Sequence, residues 1–234
     1  MVTDMSNIAK IIVPEMQPLV VHAMKAGGYS RAEARIEYSP ALARDSDGRI
    51  IVNVTRDQAR EIAKAAGYRL STATEEQKLS ERGYKDEAFN DNFGRNPEGE
   101  WFWNPTDTGL LKPKGEKEDY TMKKNGRTYW KRIVTEGGEK VGEVWVPQSG
   151  IAREWSVFGI PSETAQDHND GTETHFYFNA VLDEIALSRG RHWSDPVHCF
   201  RLDARWGPGY SDPGLGLRLV RGSVGKYEKI EGKE

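Results

Sequence analysis

Cysteine is nearly absent: Cys199 is the only one in 234 residues. A single thiol excludes an internal disulfide framework and a cysteine-based zinc cluster. His198 stands beside it, but adjacent residues rarely point the right way for base activation. Cys199 therefore reads as a packed structural residue. The five histidines show no His-x-x-x-His or similar metal-ligand spacing. No glycine-rich phosphate loop precedes a helix. A basic surplus is missing too, because 33 Lys and Arg face 36 Asp and Glu, for a net charge of -3. That balance speaks against nucleic acid as a partner, since binding phosphate needs a basic face. Long apolar runs are also lacking. The stretch 8–21 is interrupted by Lys10, Pro14, Glu15 and Pro18, and it is too short to cross a bilayer. With no signal peptide in view, the expectation is a chain made in the cytoplasm and not inserted in a membrane. Display on a virion or a cell surface is compatible with that.

What is present is aromatic. Phe, Trp and Tyr make up 10% of the chain, with seven Trp and nine Tyr. These side chains suit tight packing and recognition surfaces alike. Residues 16–26 read as a short helix stopped by Gly27-Gly28. Residues 32–38 and 49–54 read as strands around the turn Asp45-Ser46-Asp47-Gly48. The clearest helix begins after Thr55, a plausible N-cap with Gln58 placed for a capping box. Ala59, Ile62, Ala63 and Ala66 form its apolar face and Gly67 ends it. A second helix is expected from Thr74 to about Arg82, with Glu75 and Glu76 in its first turn.

Residues 84–120 are rich in Asn, Gly, Pro and charge, and read as a long excursion pinned by Trp101-Phe102-Trp103. Thr128–Val134 and Lys140–Val146 alternate as the arms of a hairpin around Glu136-Gly137-Gly138-Glu139. Leu215–Val220 reads as a closing strand, and residues 222–234 as a loose tail. The organisation expected is one domain over 1–221, with an N-terminal arm at 1–50 and an insert at 84–146.

No catalytic constellation emerges. Asp167-His168-Asn169-Asp170-Gly171 has the oxygen ligands and turn glycine of a calcium-loop fragment. Glu173 comes too early to supply the late bidentate acid, so the segment reads as an Asx-rich turn. The paired carboxylates Glu75-Glu76 and Asp183-Glu184 fit helix ends or solvated faces better than acid–base work. No metal, no cofactor and no enzymatic activity are expected.

Three separated segments carry a resemblance. Gly67-Tyr68-Arg69-Leu70-Ser71-Thr72-Ala73-Thr74-Glu75-Glu76 resembles the "GYRLPTEAEWE" turn of formylglycine-generating-enzyme-like domains, with Ser71 in place of Pro. Gly150-Ile151-Ala152-Arg153-Glu154-Trp155 is similar to their "GNVWEW". Arg189-Gly190-Arg191-His192-Trp193, then Arg205, then Gly216-Leu217-Arg218-Leu219-Val220-Arg221 resembles the closing "RGGSW … R … GFRLVR". The resemblance implies an α+β C-type lectin fold, irregular, with short strands and two main helices. It makes Trp155, Trp193, Trp206, Gly216 and Arg218 scaffold residues. The enzymes of that family carry a reactive cysteine pair, and Cys199 alone cannot supply it.

The chain looks more like a second branch of that fold, the variable proteins of diversity-generating retroelements in phages, bacteria and archaeal viruses. In these a C-terminal segment is rewritten by adenine-directed mutagenesis and ends in a fixed strand, here Gly216 to Leu219. Replacing the adenines of AAC or AAT codons reaches many residue types but not Trp, Met, Lys, Glu or Gln. Residues 191–214 come mostly from the reachable set, with Trp193 and Trp206 as exceptions. The resemblance thus implies ligand-binding positions at Arg191, Ser194, Asp195, Val197, His198, Phe200, Asp203, Arg205, Tyr210, Ser211 and Asp212. Such a surface would recognise a protein or cell-surface ligand as an antibody paratope does. The alternatives on the same fold are an unusual enzyme of the formylglycine-generating type or a fixed viral or surface structural protein.

Overall fold

The computed structural model describes residues 11–83, 103–166, 174–190 and 200–230. Of these, 49% are strand and 13% helix. The expected α+β C-type lectin fold is therefore corrected. The protein is mostly β, built from several sheets with two short helices between them.

The first sheet joins distant parts of the chain. β1 (Gln17–Val21) pairs antiparallel with β4 (Ala34–Tyr38), β4 with β15 (Leu219–Arg221), and β15 with β5 (Arg69–Leu70). β4 shows why: Ala34, Ile36 and Tyr38 alternate buried with exposed Arg35 and Glu37, the pattern of a strand with one wet face. A small sheet of β2 (Met24–Ala26), β3 (Tyr29–Arg31) and β16 (Tyr227–Lys229) sits alongside.

The large sheet has nine strands. β6 is Trp103–Leu111, β7 Thr121–Lys124, β8 Arg127–Glu136, β9 Glu139–Pro147 and β10 Gly150–Trp155. β11 (Pro161–Ala165), β12 (Thr174–Phe178), β13 (Glu184–Gly190) and β14 (Phe200–Trp206) complete it. Its order is β11-β10-β12-β14-β13-β6-β8-β7, with β9 also paired to β8. Two hairpins set its register locally. Asn125-Gly126 joins β7 to β8 and Gly137-Gly138 joins β8 to β9, all four with positive φ. That is the backbone a two-residue turn needs to match the twist of its strands.

Helix α1 (Arg56–Ala65) starts at Thr55 with the capping box expected, each of Thr55 and Gln58 bonding the other's backbone N–H. Its Ala59, Ile62 and Ala63 pack with Leu70, Leu217 and Leu219. Helix α2 (Ala73–Gly83) carries buried acids, and arginines meet them. Arg69 forks onto Glu75 at 2.7 and 2.8 Å. Arg218, fully buried, lies 3.4 Å from Glu76 and donates to the carbonyls of Ser39 and Pro40. Arg189 donates to Ser80 and Thr174 and lies over the Trp155 ring at 5.1 Å. The main apolar core lies on the large sheet, around Leu110, Val146, Phe158, Phe176, Leu187 and Leu202.

Several expectations about organisation are corrected here. Residues 16–26 form β1 and β2, not a helix, because Leu19 and Val21 face a β4 that offers them a sheet partner. Residues 11–50 include β1 and β4, which belong to the sheet that β15 completes. Residues 103–146 supply β6 to β9 of the large sheet. The tail is ordered through residue 230, where β16 pairs with β3 and Tyr227 packs on the main core. Strand character at 49–54 is limited to one bridge at Ile50, and the closing strand is shorter than expected. Among the described residues no helix is long and apolar enough to cross a membrane.

Candidate ligand-binding surface

β14 is the centre of the candidate surface. It runs parallel to β12, pairing Phe176 with Leu202 and Tyr177 with Asp203, and antiparallel to β13, pairing Ser188 with Asp203. Leu202 and Ala204 enter the apolar core. The alternation then turns Arg201, Asp203 and Arg205 to the opposite face.

On that face the polar groups hold one another. Arg205 grips Asp203 through Nε and Nη2, at 3.0 and 2.5 Å. Asp203 is fully buried, so it orients Arg205 and does not itself reach a partner. The same ion pair holds the Arg205 guanidinium above its ordinary pKa. The ring of Tyr177 lies beneath both arginines, 4.6 Å from Arg205 and 5.0 Å from Arg201. Each of these contacts couples a cation to the negative face of a ring.

Beyond β14 the chain turns through Gly207, Pro208 and Gly209, and Tyr210 N–H returns to the Gly207 carbonyl at 3.1 Å. This folds Tyr210 flat onto Trp206, with centroids 4.3 Å apart and planes 8° from parallel. Tyr210 donates its hydroxyl to Asp212 at 3.1 Å, and Asp212 also accepts the Gly214 N–H at 2.7 Å. Burial, with the Asp212 bond next, raises the Tyr210 pKa. The result is a cleft of about 140 Å³ lined by Ser188, Arg201, Arg205, Trp206, Tyr210 and Asp212. Ser211 stands exposed at its margin.

Of the positions singled out in the sequence, Asp203 bonds Arg205, Tyr210 bonds Asp212, and Arg205, Tyr210 and Asp212 line one cleft. Phe200 begins β14 by its backbone. Arg191, Ser194, Asp195, Val197, His198, Trp193 and Cys199 lie outside the described residues, as do the turn 167–173 and the residues Trp101 and Phe102. The scaffold assignments divide. Trp155 packs on the main core and Arg218 is fully buried. A Cβ at Gly216 would meet Leu42 Cδ1 at 2.6 Å, so any larger residue there must displace the buried Leu42 side chain. Trp206 is different: it is 39% exposed and belongs to the surface, because its packing partner is Tyr210 and not the core. The sequence reading missed Tyr177, Arg201 and Ser188. They join the surface only through the pairing of β14 between β12 and β13, which no local pattern announces.

No family model, curated protein or solved structure matches this chain.

Proposed function

We propose that the chain is a non-catalytic display protein that binds a protein or cell-surface ligand. Its contact surface is built on residues 200–212, within a segment of about 191–214 that a retroelement diversifies. The observation that carries this reading is the convergence of Arg205, Trp206, Tyr210 and Asp212 on one cleft. Trp, Tyr and Arg are the residue types that dominate binding energy at protein interfaces. Here they are held in advance: Arg205 by Asp203, Tyr210 by Trp206 and Asp212. Ordering them on binding then costs less. Trp206 is a fixed anchor on this reading, since adenine-directed change does not reach Trp. Ser211 is the freest position to vary, being exposed.

The test is to sequence this gene and its flanks across many isolates of one population. The expected result is coding variation concentrated between 191 and 214 at adenine-derived codons, with Trp206 invariant and a near-copy template and reverse transcriptase close by. An invariant segment with no template would remove the diversification and leave a fixed binding or structural role.

A further inference from the structure

Asp203 takes only one edge of Arg205. The bonds run from Nε and Nη2, at 3.0 and 2.5 Å. Nη1 carries no hydrogen bond among the described residues and is not shut off from solvent. A guanidinium presents N–H donors along more than one edge, and the edge left over joins Nη1 to the second hydrogen of Nη2. That edge is held in place. Asp203 fixes it from behind, and the ring centroids of Tyr177 and Trp206 stand 4.6 and 5.7 Å from the guanidinium carbon. Ser188 stands across from Asp203 in the β13–β14 register and lines the same cleft of about 140 Å³. Its hydroxyl also has no partner among the described residues and is not sealed from solvent. One small cleft is thus bordered by two donors that have nothing to donate to.

We propose that this cleft seats an acidic side chain, an aspartate or glutamate of a partner protein, whose carboxylate accepts from Arg205 Nη1 and Ser188 Oγ. This rests on the binding role proposed above and names the group the surface takes. A planar guanidinium meets a carboxylate in paired bonds, and such charge-assisted bonds are shorter and stronger than neutral ones. Size favours a single side chain over a whole small molecule. Small-molecule sites measure roughly 300–1,000 Å³. This cleft, at about 140 Å³, falls well below that. The methylene stem of the acid lies along Leu215 and the exposed ring of Trp206.

Net charge does not drive the choice. Arg201 and Arg205 line the cleft with Asp212, and Asp203 stands behind Arg205. Both acids are already satisfied. Asp203 gives its two oxygens to Arg205, and Asp212 accepts from the Tyr210 hydroxyl and the Gly214 N–H. A cationic ligand would have to take Asp212 from those partners. What the lining lacks is an acceptor for Arg205 Nη1 and Ser188 Oγ, so aimed donors select the ligand. Arg205 falls within the segment read as variable. The preference for an acid therefore belongs to this version of the surface and changes with the residue at 205.

The experiment uses the full chain and the capped tripeptide acetyl-Ala-Glu-Ala-amide, followed by the indole N–H of Trp206 and the amides of Ser188 and Tyr210. Saturable shifts are expected, with binding about tenfold weaker when Gln replaces the peptide's Glu. Arg205→Lys keeps the charge but ties it to Asp203 with no second edge to offer, and should weaken binding about tenfold. Ser188→Ala removes one hydroxyl and should weaken it about fivefold. Unchanged resonances remote from the cleft verify that each variant folds; should Arg205→Lys misfold, Ser188→Ala decides alone. Glucuronate, a carboxylate on a sugar ring, should bind more weakly than the peptide, and tighter binding would overturn the side chain in favour of an acidic glycan. Absence of saturable shifts, equal binding of the Gln peptide, or full affinity in the folded variants would also overturn the proposal. The sequencing test stands apart. A diversified segment on a chain that ignores the peptide removes only the acid, and an invariant segment on a chain that binds it removes only the diversification.

Discussion

Tyr227 donates its hydroxyl to Glu136 Oε1 at 2.9 Å, fastening β16 to the turn of the longest hairpin. The carboxyl at the receiving end is lifted by burial from an ordinary 4.5 to about 8. The folded protein therefore keeps a proton across that window which the unfolded chain has released. The stabilisation from this group is full below pH 4.5, falls as pH rises, and is gone above about 8. One proton corresponds to a slope of about 1.4 kcal/mol per pH unit. Urea titrations across the window should show this decline, and Glu136→Gln should flatten it. Tyr227→Phe should cost about 1 kcal/mol and raise the Glu136 pKa further, because the lost bond favoured the charged form.

Within the candidate binding surface, two positions should respond oppositely to substitution. Asp203→Ala removes a buried acceptor that holds Arg205 in place. It should cost about 2 kcal/mol in chemical denaturation. Ser211 is exposed, and polar replacements there should stay within about 0.5 kcal/mol of the parent. If Asp203 tolerated exchange as freely as Ser211, the preorganised arginine described above would be wrong.

Arg218 and Glu76 form an ion pair shielded entirely from water. Burial raises the Glu76 pKa even with Arg218 and Ser71 opposing it. Arg218→Ala should destabilise by about 4 kcal/mol, since it leaves the acid buried without its cation. The paired change Arg218→Met with Glu76→Gln should recover much of that loss, which a double-mutant cycle measures.

Gly216 is packed against Leu42 so closely that a methyl group has no room. Gly216→Ala should cost about 2 kcal/mol through overpacking. Combining it with Leu42→Ala should give less than the sum of the two losses, because the second change vacates the space the first requires.

The legible parts of the fold were those whose cause lies within a few residues. The Thr55–Gln58 capping box, the apolar face of α1 and the Gly137-Gly138 hairpin are local, and each was readable as such. The errors came where a distant partner decides. Residues 17–26 carry a pattern short enough to suit helix or strand, and only β4 and β3 settle it. Tyr227 looks like part of a charged tail until β3 and Glu136 are placed beside it. The same division runs through the candidate surface. Arg205, Tyr210 and Asp212 stand close together in the sequence. Tyr177 enters by parallel register, and Trp206 was assigned to the scaffold because adenine-directed change does not reach Trp, which says nothing of its ring lying outside the core.

β14 lies between β12 and β13, two strands that precede it in the chain. During synthesis those two strands emerge first and stand apart, each with an edge that nothing yet covers. β14 therefore joins the two parts of the large sheet that β12 and β13 edge. Open edges of this kind invite pairing with other chains. Variants that weaken β14 should thus aggregate on refolding more than their loss of stability alone accounts for.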